Sequence, residues 1–189
     1  MRTAVLRMMA ALMCVVAVCA DVMPMQDFSL EKMAGKWYLL GFASNAQWFV
    51  EHRDTMKAGT AMFTPTEVGD LDLSYSNLNT DGTCWRMTHL AKKTDTPGRF
   101  TFHSQAWNND NDMRIVDVVY DNYALTYTIK TKEGVSEVLI KLYSRSTEVS
   151  ADLQQKFTQF SQNNGVLTEN IVILPKNAEC PEAAANPAS

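Results

Sequence analysis

The sequence predicts an all-β domain: eight short strands in an antiparallel up-and-down barrel or a sandwich, with one helix packed against the outside. Three observations predict it. Eight mostly alternating segments recur at short spacing, separated by turn signals. The first, 36–44, is apolar on both faces and so is covered on both sides. A stretch near the end, opening at Ser150, instead carries its apolar residues at helical spacing.

In chain order, a lead-in over 23–33 supplies Phe28 and Leu30 as plugs near a barrel end. Gly35 lets the backbone approach closely before Trp37, whose ring is a large buried payload. Within 36–44, Trp37, Leu39, Gly41 and Ala43 share one face, and Tyr38, Leu40 and Phe42 the other. Gly41 permits the bend that closing a small barrel needs. Residues 45–54 read as irregular, yet they hold Trp48 and Phe49. Two aromatics in a loop are costly to expose, so they either form a lid over a cavity mouth or pack on the barrel rim.

Strands follow at 56–63, 70–78, 83–91, 99–104, 113–120, 123–131 and 136–144. The turns between them fall at Pro65 and Gly69, Asp81-Gly82, Pro97-Gly98, 108–112, Asp121-Asn122 and Glu133-Gly134. Ser150 caps a helix whose stripe is Leu153, Phe157 and Phe160, with Gly165 beyond its end. A short final strand, 170–174, stops at Pro175. No internal repeat or second domain is apparent.

Length and composition bound the function. A chain of 189 residues, 46% hydrophobic and 20% charged, suits one domain with a real core. Arg2 and Arg7, an uncharged run over 8–18 and Val18-Cys19-Ala20 read as a secretory signal over 1–20. The domain is then 21–180, and 181–189 is a small, polar tail expected to be disordered. The apolar run is too short to span a membrane, and no later stretch qualifies.

Cleavage removes Cys14 and Cys19, leaving Cys84 and Cys180, which in an oxidising compartment most simply form one disulfide; two free thiols are the alternative. Losing Arg2 and Arg7 leaves 15 basic residues against 21 acidic ones, a net charge of −6 where the whole chain has −4. Such a protein is a poor partner for nucleic acid or anionic membranes. His52, His89 and His103 lack metal-ligand spacing, no nucleotide-binding or nucleophile-elbow motif occurs, and no metal or cofactor is expected. A monomer is expected.

An eight-stranded barrel either fills itself with side chains or holds one small ligand. In phase with Trp37 and Leu39 lie Leu71, Leu73 and Tyr75 on the third strand and Trp85, Met87 and His89 on the fourth. Phe100 and Phe102 follow on the fifth, and Lys141 and Tyr143 on the eighth. Large apolar and aromatic groups with a few polar ones suit a ligand cavity, and equally a solid core. In the cavity reading Lys141, Tyr75 and Tyr143 orient the ligand, and His89 faces it or is a satisfied core histidine. Trp85 and Trp107 are the tryptophans that a bound ligand quenches.

Several segments, in their order and spacing, resemble the lipocalin family. They are Gly35-Lys36-Trp37-Tyr38, Ala43-Ser44-Asn45 with Trp48-Phe49, Tyr120-Asp121-Asn122-Tyr123-Ala124-Leu125, Leu142-Tyr143-Ser144-Arg145, Lys156-Phe157-Thr158-Gln159-Phe160 and Ile173-Leu174-Pro175. The chain is most similar to the prostaglandin D synthase branch. Lys93-Thr94-Asp95-Thr96 with Gly98 resembles the alpha-1-microglobulin branch. The resemblance implies an eight-stranded calyx, the helix outside and an apolar ligand within. It implies Arg145 lying across Trp37 at the closed end, and a Cys84–Cys180 disulfide tethering the C-terminal segment to the fourth strand.

The family's second signature is altered, with Val118-Val119 before Tyr120 where Thr-Asp is usual. The synthases open an endoperoxide with a cysteine thiolate followed by lysine; the matching pair here is Met56-Lys57, and a thioether forms no thiolate. Leu39 and Ala58 stand where small polar residues assist, Tyr75 retains a hydroxyl, and Ala46 stands near the reactive cysteine of alpha-1-microglobulin. These residues imply a secreted carrier of a retinoid, bile pigment, steroid or fatty-acid derivative. The competing reading is a prostaglandin-H2 D-isomerase, which Met56 opposes. In the carrier, Met56 is an adaptable apolar contact with the ligand.

Overall fold

In a computed structural model, which describes residues 21–181, the chain closes into an antiparallel β-barrel. Its strands are β1 (Gly35–Ala43), β2 (Gly59–Pro65), β3 (Leu71–Leu78), β4 (Cys84–Lys93), β5 (Arg99–Ser104), β6 (Asn109–Val119), β7 (Tyr123–Lys132) and β8 (Val135–Ser144). Each pairs with the next and β1 pairs with both β2 and β8, closing the ring. A ninth strand, β9 (Ile171–Ile173), adds to the outside of β1. The short helices α1 (Leu30–Met33) and α2 (Gln47–His52) flank β1, and α3 (Ala151–Asn163) packs outside. The predicted signal segment 1–20, and the tail beyond residue 181, lie outside the described residues.

α3 starts where Ser150 accepts a hydrogen bond from the Leu153 amide. Leu153 and Phe157 are buried against Leu125, Tyr127, Ile140 and Leu142. Gly41 makes this packing possible: a Cβ there would sit 2.9 Å from Leu142 and 2.9 Å from the Phe157 ring.

Three local expectations are corrected. Residues 47–52 form α2, not an irregular loop, because Phe49 inserts completely and stacks on Phe42 with ring centroids 4.9 Å apart. β6 begins at Asn109, inside the stretch read as a turn; pairing with β5 on one side and β7 on the other outweighs the weak strand preference of Asn109 to Asp112. In β1 the register against β8 slips between Leu39 and Gly41, a bulge at Leu40. The slip reverses the faces beyond it. Phe42 turns to the barrel interior, while Gly41 and Ala43 turn to the helix.

The closed end is built on Trp37, which is fully buried and donates its indole N–H to the Met33 carbonyl at 2.8 Å. The Arg145 guanidinium lies 3.7 Å from the Trp37 ring centroid. It also donates to the carbonyls of Lys36 (2.7 Å), Ala34 (2.9 Å) and Tyr120 (3.0 Å). Gly35, at φ +100°, brings the chain past this group, and a Cβ there would come within 3.3 Å of Arg145. Phe28, Leu30 and Met33 plug the same end. A Cys84–Cys180 disulfide ties the C-terminal segment to β4, and Glu179 accepts from both Lys36 and Tyr38.

Trp37→Ala is expected to cost about 3–5 kcal/mol as a large-to-small core change. Arg145→Lys is expected to cost about 1–2 kcal/mol, nearly as much as Arg145→Ala, because an ammonium cannot lie flat on the indole and reach three carbonyls at once. Urea unfolding measures both, and an Arg145→Lys protein as stable as the parent contradicts this account of the base.

Candidate ligand-binding cavity

Above that sealed base the barrel encloses a cavity of about 440 Å³ open at the far end, within the range of small-molecule sites. Leu39, Met56, Tyr75, Trp85, Met87, His89, Phe102, Trp107 and Lys141, all singled out from the sequence, line it together. Trp37, Leu71, Leu73 and Tyr143 do not. They are fully buried and pack with Phe63, Ala91 and Phe100 into a solid floor. They share the cavity residues' face but lie lower along the barrel axis, which alternation cannot register.

Sequence reasoning missed several lining residues. Phe42 was assigned to the other face because the bulge at Leu40 is silent in the sequence. Asn109 and Asn111 were hidden by the turn assignment, and Asn111 donates to the Asn109 side chain at 2.7 Å. Lys130 had a usable signal: it alternates in step with Thr126, which pairs with Lys141 across β7 and β8. Ser104 also lines the wall; its buried hydroxyl has no protein partner.

The polar groups are ordered by height. Lowest is Tyr143, whose hydroxyl bonds that of Tyr75 at 2.7 Å. Complete burial, and secondarily Tyr75, pushes the Tyr143 phenol well above its ordinary value, so it stays protonated. Next comes the Lys141 ammonium, 3.3 Å from the Tyr75 oxygen, 4.6 Å from the Tyr75 ring centroid and 5.4 Å from that of Phe42. His89 stacks on Phe102 at 4.6 Å; burial, then the nearby Lys141 charge, lowers its pKa and keeps it neutral at physiological pH. Higher, the Lys130 ammonium sits 4.5 Å from the Trp48 ring centroid, and Trp48 donates its indole N–H to Glu137 at 3.0 Å. Burial pulls the Lys130 pKa down, against the opposing charge of Glu137.

The mouth is partly open, with Trp85 42% and Trp107 55% exposed beside Met56 and Met87, and the polar Lys57, Asn77 and Asn79 stand among them. The β4–β5 ladder is confined to Lys92–Thr101 and Lys93–Phe100, near the closed end, so the His89–Phe102 stack bridges these strands farther up. The wall offers no thiol: Met56 is a thioether, and the two described cysteines are bonded to each other. Among the described residues, no helix is long and apolar enough to cross a membrane.

The family model for the lipocalin and cytosolic fatty-acid binding proteins matches residues 34–178, from the strand bearing Trp37 to the tethered C-terminal segment. The chain is a lipocalin. It is 37% identical over 172 residues to a lipocalin of Rhinella marina, spanning 90% of this chain and 93% of that one. It is 33% identical over 164 residues to the prostaglandin-H2 D-isomerase of Felis catus, spanning 86% and 85%. Among solved structures it superposes on the siderocalin Ex-FABP, described as acting through dual ligand specificities, with a TM-score of 0.68 and 28% identity over 78% of this chain and 96% of that one. Lipocalins bind small hydrophobic ligands, and in this one the barrel offers the space for one.

The Tyr75–Tyr143 pair generates a stability prediction. Tyr75→Phe is expected to cost about 1–3 kcal/mol, because it orphans the Tyr143 hydroxyl in a fully buried site. Tyr143→Phe is expected to cost less, about 1 kcal/mol, since Tyr75 keeps Lys141 as a partner. Equal losses, or the reverse order, in denaturant unfolding would contradict the assignment.

Proposed function

We propose that this lipocalin is a secreted carrier that holds one small hydrophobic molecule — a retinoid, bile pigment, steroid or fatty-acid derivative — in the barrel cavity. The observation that carries the reading is the cavity of about 440 Å³, walled by Leu39, Phe42, Met56, Met87 and Phe102 and rimmed by three tryptophans. Binding strength comes from removing the ligand's apolar surface from water, about 25 cal/mol for each Å² buried, and the few polar groups orient it. Met56 and Met87 adapt to different shapes, which favours breadth of ligand choice.

The second reading is prostaglandin-H2 D-isomerase activity, favoured by the identity to the Felis catus enzyme along most of the chain. Opening an endoperoxide through a thiol needs a thiolate, and Met56 stands where the resemblance requires it. A secretory signal over 1–20 fits the disulfide and the carrier role alike.

Two assays on one preparation test the proposal. Micromolar retinoic acid or bilirubin is expected to quench tryptophan emission saturably. Prostaglandin H2 is expected to isomerise no faster than it does spontaneously, and Met56→Cys should be the shortest route to restoring some turnover. Absence of saturable binding defeats the carrier reading, whereas turnover by the unmodified protein establishes the enzyme reading and points to a nucleophile other than a thiol.

A further inference from the structure

The carrier reading leaves the chemical class of the ligand open, and the charges of the wall narrow it. We propose that the ligand is an apolar acid bound head-down, its anionic group on Lys141 and Tyr75 just above the floor and its hydrocarbon body running up to the mouth. This rests on the cavity being the binding site.

The chain as a whole is acidic, with 21 Asp and Glu against 17 Lys and Arg, yet among the described residues its cavity is lined by Lys57, Lys130 and Lys141 and by no Asp or Glu. A low-dielectric cleft of one sign concentrates its potential on whatever enters, so the interior attracts anions although the exterior does not. Lys141 is the one of the three that is tied to the floor, through Tyr75 and its hydroxyl contact with Tyr143. Among the described residues no carboxylate lies within ion-pair distance of it, and of its three N–H donors one reaches the Tyr75 oxygen at 3.3 Å. A half-buried ammonium with two donors unspent is costly to desolvate unless an anion joins it.

Tyr75 supplies the second donor. When its oxygen accepts from Lys141 and from the enclosed Tyr143 hydroxyl, its own proton is free to point into the cavity. Two donors 3.3 Å apart suit the two oxygens of one carboxylate, in short charge-assisted hydrogen bonds. Neutral His89 neither repels that group nor competes for it as an ion. Lys130 is the weaker anchor, since it lies against Trp48 and faces Glu137 across the β7–β8 pair. Met56, Met87, Trp85 and Trp107 line the cavity toward the mouth and offer the hydrocarbon its apolar partners. An uncharged alcohol of the same shape leaves Lys141 as it was, and a cation is repelled.

Matched ligands test this: all-trans retinoic acid against all-trans retinol, and oleic acid against oleyl alcohol, titrated into the full chain by tryptophan quenching. The acid is expected to bind about tenfold more tightly than its alcohol. Lys141→Met should bring the ratio to within about twofold through loss of acid affinity, Lys141→Arg should restore most of it, and Lys130→Met should lower it less than Lys141→Met does. Lys176→Met, which removes a cation paired with Glu148 on the exterior, controls for net charge. Equal affinity for acid and alcohol in the parent protein overturns the proposal while leaving the carrier reading intact, and needs no variant to fold. A larger loss from Lys130→Met than from Lys141→Met overturns the head-down orientation. No saturable binding of any of the four probes overturns both the proposal and the carrier reading.

Discussion

The guanidinium of Arg145 lies on the fully buried indole of Trp37 and donates to three backbone carbonyls in two segments that are remote in sequence. Ala34 and Lys36 precede and enter β1, and Tyr120 follows β6. One planar side chain therefore ties the start of the barrel to its far wall, and a planar cation with forked donors is suited to both tasks. The consequence reaches the cavity. Sealing one end converts a ring of strands into a cup, and the floor on that seal, made of Leu71, Leu73, Phe63 and Tyr143, sets how deep a ligand can go.

The barrel and the outer helix were legible in the sequence because alternation and turn chemistry persist through most strands. Legibility failed where the ladder broke its own period. The bulge at Leu40 leaves no compositional trace, yet it exchanges the roles of Phe42 and Ala43, giving one to the cavity and the other to the helix. Asn109 to Asp112 look like a turn in isolation, and flanking strands on both sides override that local preference. For the site residues away from the bulge and the misread turn, the face was recoverable but the height was not. Leu71 and Tyr75 share a face of β3, and only the packing beneath Tyr75 makes one floor and the other wall. Lys130 was overlooked although its alternation with Thr126, the partner of Lys141, was visible.

This lipocalin has a sealed base, a disulfide-tethered C-terminal segment and an open cup, and its wall has a character of its own. A thioether stands where the resemblance requires a nucleophile, and among the described residues three lysines and no carboxylate line the cavity. Such a wall is suited to holding and orienting a molecule.

The central claim is that a ligand occupies the cup above an intact floor, and the four tryptophans report on it directly. Trp48, Trp85 and Trp107 line the cavity, while Trp37 is enclosed in the base. In the indole ¹⁵N–¹H spectrum of tryptophan-labelled protein titrated with retinoic acid, the three cavity resonances should move together and saturate at one equivalent while that of Trp37 stays in place. Movement of Trp37 in step with the others, or saturable binding that leaves all three cavity indoles unmoved, would contradict the account.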